Sequence, residues 1–148
     1  MKIVKKVWGR EEWIVNSINP PYCGKRLFVT QGYRVSLHKH KEKDEVFYLR
    51  SGRVLMTTDG RVERITVQKH EDTFDTFNTE QLDGGQKWMM EVGDSVRIYP
   101  GTYHSFAGFE EAEIYEFSSH HDDNDTYRKD VSGKADFSEY LKKVDKIE

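Results

Sequence analysis

The stretch Gly32-Tyr-Arg-Val-Ser-Leu-His38-Lys-His40-Lys-Glu-Lys-Asp-Glu45, which closes on Gly52, decides the fold of this chain. Alternate side chains of a β-strand share a face, so His38 and His40 point to one side and the residue between them to the other. After a predicted turn, Glu45 returns on the neighbouring strand. Two imidazoles and one carboxylate therefore meet on the two arms of one predicted hairpin, which indicates a metal site inside a β-barrel.

A second segment far along the chain adds one more ligand. Gly93-Asp-Ser-Val-Arg-Ile-Tyr-Pro100-Gly101-Thr-Tyr-His104 contains a predicted strand, a Pro-Gly turn and a histidine. A nitrogen and oxygen set without thiolate suits Mn, Fe, Co, Ni or Zn and usually leaves positions for water or substrate. A lone His-x-His pair is common on exposed strands, so the metal prediction depends on both segments together. The predicted metal ligands are His38, His40, Glu45 and His104.

The two segments resemble the cupin superfamily. Residues 32–52 match its first motif, G-x5-H-x-H-x3/4-E-x6-G, at every fixed position. The second motif, G-x5-P-x-G-x2-H-x3-N, is matched at Gly93, Gly101 and His104, whereas Tyr99 and Gly108 replace its proline and asparagine. The resemblance implies an all-β fold, a cupin-type antiparallel β-barrel (jelly roll) with the metal in its mouth.

Length and charge favour one globular domain without a nucleic-acid or membrane partner. A chain of 148 residues can bury one core and is too short for two ordinary domains, so residues 1–148 are predicted to form one domain. Charged residues are 33% of the chain at a net charge of -3, so no basic face of the nucleic-acid-binding kind is evident. The N-terminus lacks the apolar core of a signal peptide, which favours a cytoplasmic location.

Short strand-like runs separated by turn residues indicate a barrel or sandwich. Asp59-Gly60 is a hairpin turn signal. Residues 61–90 are an insertion between the two motifs, and its part 69–82 is predicted to be a surface insertion, with a lid or an extra hairpin as alternatives. Helical spacing of apolar residues predicts a short C-terminal helix at 136–147 that packs on the barrel. The predicted strands are 12–16, 25–30, 34–40, 46–50, 53–58, 95–99 and 113–118.

The core of the barrel is predicted from the apolar residues of these strands. Such residues line the barrel or fill the space between its sheets, and they need no functional role. They are Phe28, Val35, Leu37, Phe47, Leu49, Val54, Val96, Ile98, Phe106 and Ile114.

Residues outside the two motifs resemble the cupin domain of type II phosphomannose isomerases. The resemblance is carried by Trp8-Gly9, by Lys25 in a strand ahead of the first motif, by Glu116 after the second, and by the acidic run that ends in Tyr127-Arg128. The chain is also similar, more loosely, to cupin-type D-lyxose and mannose isomerases. These resemblances imply a metal-dependent aldose-ketose isomerase acting on a sugar or sugar phosphate, of the mannose 6-phosphate/fructose 6-phosphate or lyxose/mannose type. Small cupins commonly pair through N-terminal strands, so a homodimer is expected.

An aldose-ketose isomerase needs a group that moves a proton between C1 and C2 beside the metal. Glu116 is the candidate base, and Lys25 is a second proton carrier or charge stabiliser. A structural role is open for each: Glu116 as a barrel-end carboxylate paired with a cation, and Lys25 as an exposed strand residue. His120 and His121 are neighbours that would face opposite ways on a strand, and both are predicted to be exposed.

Four residues are candidates for substrate binding. Arg97 and Tyr99 share one strand face that leads into the metal-bearing turn. Arg128 suits an anion if the substrate carries phosphate. Trp8 could offer an aromatic face to the sugar ring, although an aromatic residue near a barrel entrance is more often part of the core.

Two functions of other classes stay open at this point. The first is a non-catalytic cupin module that binds a carbohydrate or nucleotide sugar beside a biosynthetic enzyme on another chain. The second is a metal-dependent dioxygenase, which uses similar ligands but needs a redox-active metal. The isomerase needs open metal positions and a base within reach of C1 and C2, whereas the binding module needs only the pocket.

Overall fold

Fifteen antiparallel strands and one helix make up the described part of the chain. The computed structural model describes residues 1–147, with side-chain surroundings for residues 1–144. In chain order the elements are β1 (Lys2–Lys6), β2 (Gly9–Ser17), β3 (Tyr22–Val29), β4 (Tyr33–Arg34), β5 (His38–Lys39), β6 (Glu45–Ser51), β7 (Val54–Asp59), β8 (Val62–Gln68), β9 (Thr76–Leu82), β10 (Gly85–Met90), β11 (Ser95–Ile98), β12 (Tyr103–Gly108), β13 (Ala112–Ser118), β14 (Tyr127–Arg128), β15 (Gly133–Lys134) and α1 (Ser138–Ile147).

The strands form two sheets with the core between them. The larger sheet has the order β1-β2-β3-β13-β6-β11-β8-β9, and the smaller has β10-β7-β12-β4-β15, with β5 pairing both β12 and β14. Phe47 of the larger sheet meets Phe106 of the smaller edge to face, with ring centroids 5.8 Å apart. The predicted all-β jelly roll with a short C-terminal helix is confirmed.

Alternation along β3 shows why the two sheets close on each other. The side chains of Cys23, Lys25, Leu27 and Val29 are buried, while those between them are partly exposed. The period of two gives the sheet one inward face, as expected for strands with one face on a core. Lys25 therefore points into the barrel, on the same face as Leu27 and Val29.

Two of the ten predicted core residues lie outside the buried core. Phe28 and Leu37 are only partly buried, whereas the other eight predicted residues belong to the buried cluster. Phe28 lies on the outer face of its sheet, where the Arg10 guanidinium covers its ring at 3.8 Å. Leu27 and Val29 take the inward positions, so the prediction had the wrong parity in this strand.

The strand predicted at 34–40 is interrupted. It is present as β4 and β5 with a gap at residues 35–37, where Val35 N donates to Phe106 O. The interruption leaves β5 only two residues long. The strand that carries the first predicted histidine pair is therefore short and depends on contacts from elsewhere in the chain.

Asp59-Gly60 does not form the predicted hairpin. β7 and β8, on either side of it, belong to different sheets, so the chain crosses from one sheet to the other here. Gly60 has a φ of +135°, and a Cβ there would lie 2.8 Å from Thr102 Oγ1. The glycine serves a tight crossing of two backbones rather than a two-residue hairpin turn.

The insertion at 61–90 builds strands β8, β9 and β10. The exposed segment 69–82 contributes β9, which forms an edge hairpin with β8 on the larger sheet and so corresponds to the extra-hairpin alternative. Its apolar residues did not reveal this, because Phe74 and Phe77 are 94% and 74% exposed and pack no core.

The predicted C-terminal helix is present as α1. Phe137, immediately before it, meets Phe109 edge to face with ring centroids 5.2 Å apart, which joins the start of the helix to the barrel. Among the described residues, the structure contains no helix that is long and apolar enough to span a membrane.

Candidate metal centre

Three histidines and one carboxylate converge at the end of the barrel. His38 lies on β5 and pairs across the sheet with His104 on β12, while His40 follows β5 and Glu45 begins β6. The ligand atoms of the three histidines lie within 4.8 Å of one another. Glu45 Oε1 is 2.7 Å from His104 Nε2 and 3.8 Å from His40 Nε2. The structure therefore brings all four predicted ligand side chains together.

Backbone carbonyls set the orientation of each imidazole. Nδ1 lies 2.7 Å from Ser36 O in His38, 2.9 Å from Asp125 O in His40 and 2.9 Å from Thr102 O in His104. A carbonyl oxygen can only accept, so Nδ1 carries a hydrogen in each ring, and Nε2 keeps a lone pair whenever the ring is neutral. The three Nε2 atoms are therefore all acceptors, which is the form that coordinates a metal.

The residues present fit a cation. Glu45 Oε1 and His104 Nε2 are buried and have no hydrogen-bond donor in the described part of the structure, although they face each other at 2.7 Å. Two lone pairs at this distance repel each other unless a proton or a cation lies between or beside them. A divalent metal would satisfy both, and imidazole and carboxylate are its usual ligands. The cluster therefore fits a divalent metal ion.

Burial and neighbouring charges keep the cluster ready for a metal. Burial holds the pKa of His38 well below its ordinary value, and burial also lowers the pKa of His40. Burial would raise the pKa of Glu45, but Lys43 and His104 outweigh it and hold that pKa well below its usual range. Neutral imidazoles and an ionised carboxylate are the protonation states that metal binding requires.

A cavity of about 430 Å³ opens beside the cluster, with His38, His40 and Glu45 in its wall. The wall also contains Lys43 and Glu116, which the chain buries almost completely. A volume of this size is typical of a small-molecule site. The arrangement places the candidate metal ligands and a lysine-carboxylate pair around one space that a small substrate can enter.

Lys43 links the metal ligands to the predicted base. Its Nζ lies 2.7 Å from Glu116 Oε2, 3.3 Å from Glu45 Oε2 and 2.9 Å from His121 Nδ1, to which it donates. Burial would lower the pKa of Lys43, but the carboxylates of Glu116 and Glu45 raise it above its ordinary value. The ammonium occupies Glu45 Oε2, which leaves Oε1 of the same carboxylate for the cluster. Glu116 is thus paired with a cation, as expected if it has a structural role. It also lines the cavity, where it could contact a substrate.

Lys25 is buried in the cavity wall, so its reading as an exposed strand residue is wrong. Its Nζ lies 3.5 Å from Glu11 Oε1 and 3.9 Å from the centroid of the Trp13 ring. Trp13 Nε1 also donates to Glu11 Oε1 at 2.8 Å. Lys25 and Glu116 are cross-strand partners on β3 and β13, so the two proton-transfer candidates lie side by side.

The candidates for substrate binding divide into two pairs. Trp8 and Arg128 line the cavity. Trp8 also packs edge to face on Phe106, with ring centroids 5.3 Å apart, so it belongs to the core as well. Arg128 Nη1 donates to Ser36 Oγ at 2.6 Å, which holds the guanidinium at the cavity wall.

Arg97 and Tyr99 lie on the outer face of the larger sheet, away from the cavity. Arg97 Nη1 donates to Tyr99 OH at 3.2 Å, and the guanidinium also pairs with Asp44 at 2.6 Å. The inward positions of this strand are taken by Val96 and Ile98, which are fully buried. The prediction that Arg97 and Tyr99 position a substrate is therefore corrected, because alternation turns them away from the histidines.

His121 was wrongly expected to be exposed. It lines the cavity, receives a hydrogen bond from Lys43 and donates from Nε2 to Asp123 Oδ1 at 2.8 Å. Strand alternation does not apply to it because β13 ends at Ser118 and the chain folds back across the barrel end.

Sequence reasoning also missed Lys43 and Glu11. Lys43 stands two residues before Glu45, where alternation counted back from the ligand would have placed it on the same side. Glu11 alternates with Trp13 on β2, and both point towards Lys25. The alternation that places each residue on the inner side is visible in the sequence. It could be interpreted only once the buried partner was known, which is Glu116 for Lys43 and Lys25 for Glu11.

Comparison with protein families matches residues 10–142 to the D-lyxose isomerase family. The chain belongs to the D-lyxose isomerase family. This confirms the resemblance to cupin-type D-lyxose isomerases and places the chain in a family of isomerase enzymes. No curated protein matches the chain.

Solved structures confirm the cupin fold. The S161A mutant of Bacillus subtilis oxalate decarboxylase OxdC is similar with a TM-score of 0.60 and 15% identity over 87% of this chain and 30% of that one. CapF gives a TM-score of 0.52 and 14% identity over 88% of this chain and 34% of that chain. KdgF from Halomonas sp. gives a TM-score of 0.52 and 14% identity over 78% of this chain and 82% of that chain. The chain thus spans about a third of the length of CapF and OxdC.

Proposed function

We propose that the protein is a metal-dependent aldose-ketose isomerase. D-Lyxose and D-mannose are its proposed substrates, with mannose 6-phosphate and fructose 6-phosphate as the phosphorylated alternatives. One observation carries the proposal: three histidine nitrogens and a Glu45 oxygen converge at a cavity whose wall also holds a second carboxylate and two buried lysines. Membership of the D-lyxose isomerase family supports the reaction class.

His38, His40, Glu45 and His104 would hold the metal. Mn, Fe, Co, Ni and Zn all accept this ligand set, and Mn(II) centres are described for Bacillus subtilis oxalate decarboxylase. When bound, a divalent ion would polarise the sugar carbonyl and so acidify the adjacent C-H. Glu45 can serve the metal through Oε1 while Lys43 holds Oε2.

Glu116 is the proposed base. It takes the proton from C2 of the aldose and returns it to C1, while a hydroxyl proton moves from O2 to O1. The reaction therefore proceeds through an enediol, and the ketose has the same atoms as the aldose. Ser118 Oγ donates to Glu116 Oε2 at 2.9 Å, and Lys43 binds the same oxygen, which leaves Oε1 for the substrate proton. The neighbouring Lys25 stabilises the negative charge that develops on the enediol oxygens.

Trp8 and Arg128 are the proposed substrate contacts. Trp8 presents an aromatic surface in the cavity wall, which suits the C-H face of a sugar. Arg128 has its Nη1 on Ser36 Oγ, and no carboxylate pairs with it among the described residues. A guanidinium in this position can bind sugar hydroxyls or a phosphate group.

The test is proton exchange followed by NMR. Metal-loaded protein is incubated in heavy water with D-lyxose, D-mannose, mannose 6-phosphate or fructose 6-phosphate. Interconversion of aldose and ketose with deuterium entering at C2 of the aldose is the expected result. Conversion without deuterium would replace the enediol route by hydride transfer.

Two controls make the result specific. Chelation of the metal should abolish conversion, and readdition of Mn or Co should restore it. Glu116→Gln should lower kcat by about 10²–10⁴-fold with unchanged metal content, because general acid-base catalysis contributes about that much. Bound metal with neither conversion nor exchange on any of these sugars would refute the isomerase and favour the sugar-binding module.

Three other expectations remain predictions that accompany this function. They are a single domain over residues 1–148, a homodimer and a cytoplasmic location. Size-exclusion chromatography with light scattering measures directly whether the protein is a homodimer.

A further inference from the structure

Asp125 reaches from the end of the barrel to the hairpin that carries the metal ligands. It closes the 3-10 turn Asp123–Asp125, after β13. Its Oδ1 accepts from Lys41 N at 2.8 Å, and its Oδ2 accepts from Glu42 N at 3.0 Å and from Lys43 N at 3.1 Å. One carboxylate therefore binds three consecutive backbone N-H groups of the turn between β5 and β6.

The same residue holds a metal ligand through its main chain. Asp125 O accepts from His40 Nδ1 at 2.9 Å, whereas the corresponding carbonyls for His38 and His104 come from residues two positions earlier in the chain. His40 thus depends for its orientation on a segment 85 residues away in sequence. Its Nε2 faces the cluster only while that carbonyl stays in place.

The turn 41–44 needs such a partner. β5 has only two residues, and residues 40–44 lie outside any strand, so the three N-H groups at 41–43 have no ladder partner. A charged acceptor makes stronger hydrogen bonds than a neutral one. Asp125 thereby determines where Lys43 leaves the turn, and the Lys43 ammonium determines how Glu45 and Glu116 are held.

We propose that Asp125 is a positioning residue of the metal site, acting through the 41–43 amides on Lys43 and through its carbonyl on the His40 ring. It touches neither metal nor substrate. Its effect on metal binding stands on the geometry of this site alone, whereas its effect on turnover rests on the proposed isomerase function.

The first test uses metal-free protein and no sugar. Hydrogen exchange reports the amides of Lys41, Glu42 and Lys43, and long-range ¹H-¹⁵N correlation of the imidazole nitrogens at pH 8 reports the tautomer of His40. In the wild type we expect protected amides and an Nδ1-H tautomer. In Asp125→Ala we expect these three amides to exchange at least tenfold faster and the second tautomer of His40 to appear, with the His38 tautomer unchanged.

Asp136→Ala is the matched control. Asp136 Oδ1 also accepts from a backbone N-H, that of Ser138 at 2.9 Å, but it caps α1 away from the metal site. This variant loses a carboxylate-to-backbone hydrogen bond of the same kind and should change neither the amides of 41–43 nor the His40 tautomer. A general loosening of the fold would instead affect both variants alike.

The second test is metal affinity by competition with a chromophoric chelator, using Mn²⁺ or Zn²⁺ alone. Loss of a residue that orients ligands typically costs about 10–100-fold in metal affinity, so that range is expected for Asp125→Ala and less than twofold for Asp136→Ala. Asp125→Asn should be intermediate, because one amide oxygen can still accept while the NH₂ group opposes a backbone N-H. It also carries the test if Asp125→Ala does not fold.

Unchanged exchange at 41–43, an unchanged His40 tautomer and a metal affinity within twofold of wild type in either Asp125 variant would overturn the proposal. Failure of the isomerase function would look different. It would leave these three measurements as expected while no sugar is converted by the wild type itself.

Discussion

The two sides of the cavity wall differ in how their polar atoms are satisfied. On the histidine side, Glu45 Oε1 and His104 Nε2 are buried and have no hydrogen-bond partner among the described residues. On the lysine side, Lys25 has Glu11 and Trp13, and Lys43 binds two carboxylates and an imidazole. Unpaired buried acceptors cost free energy, whereas paired ones hold their geometry. The difference indicates that the histidine side binds a cation from outside, while the lysine side is complete and preorganised.

The largest effect is expected from removing one ligand on the histidine side. His38→Ala should reduce the bound metal to a minor fraction and lower isomerase activity by at least about 10³-fold, because a three-ligand site loses both affinity and geometry. Metal content by mass spectrometry and kcat/KM measure this. His70→Ala is the control, since His70 is exposed and contacts Thr76 in the edge hairpin. Full metal content in His38→Ala would show that His38 is not a metal ligand.

Breaking the lysine side should affect stability as well as activity. Lys43→Met leaves the carboxylates of Glu45 and Glu116 buried without their cation, which typically costs about 3–5 kcal/mol. Urea unfolding of metal-free protein measures the loss. Saturating metal should recover part of it, because the ion compensates Glu45 but not Glu116. A loss below about 1 kcal/mol would show that the two carboxylates do not depend on Lys43.

Arg128 tests whether the complete side of the cavity also selects the substrate. Arg128→Gln should lower kcat/KM for mannose 6-phosphate about tenfold more than for D-mannose, because it removes a charge-assisted contact worth about 1.5–3 kcal/mol. Steady-state kinetics on both sugars measure the ratio. Equal losses on the two sugars would assign Arg128 to the ring hydroxyls or to Ser36 instead of a phosphate.

The smallest expected effect concerns Glu11, at the rim of the lysine side. Burial would raise its pKa, but Lys25, Lys6 and the hydrogen bond from Trp13 lower it below the ordinary 4.5. A carboxyl with a lowered folded-state pKa contributes stability above its unfolded pKa and loses it as the pH falls through the folded value. Glu11→Gln should therefore be less stable than wild type at pH 7, and the difference should shrink below pH 4.5. Urea midpoints between pH 2.5 and 7 measure this, and a constant difference would contradict it.

The fold was largely readable from local patterns. Alternation in β6 and β11 and the two Gly-bracketed motifs follow from short-range geometry, and all seven predicted strands are present, one of them interrupted and one, β3, with its inward face misassigned. What failed depended on pairing across the chain. Asp59-Gly60 is a good hairpin signal, yet the strands on either side join different sheets. The 69–82 segment has few buried side chains, so its pairing as an edge strand left no clear pattern in the sequence.

The candidate site was predictable where both motifs define it. His38, His40 and Glu45 come together because alternation and turn position are local properties, and His104 joins them through the pairing of β12 with β5, which the second motif indicated. Arg97 and Tyr99 were misplaced because the face of β11 that points inward is set by Val96 and Ile98 packing in the core. Lys43 and His121 could not be assigned, since each is defined by a partner from a distant segment.

The amino-acid sequence by itself determined the strand periodicity, the ligand types and their spacing, because these depend on a two-residue repeat and on turns of a few residues. Only the tertiary structure decided which nitrogen of each histidine faces the cluster, which lysine lies between Glu45 and Glu116, and which segment carries Asp125 to His40. Those choices depend on carbonyls and carboxylates up to 85 residues away. The physical reason is that a buried polar atom is defined by its partner, and its partner is known only when the two sheets have closed.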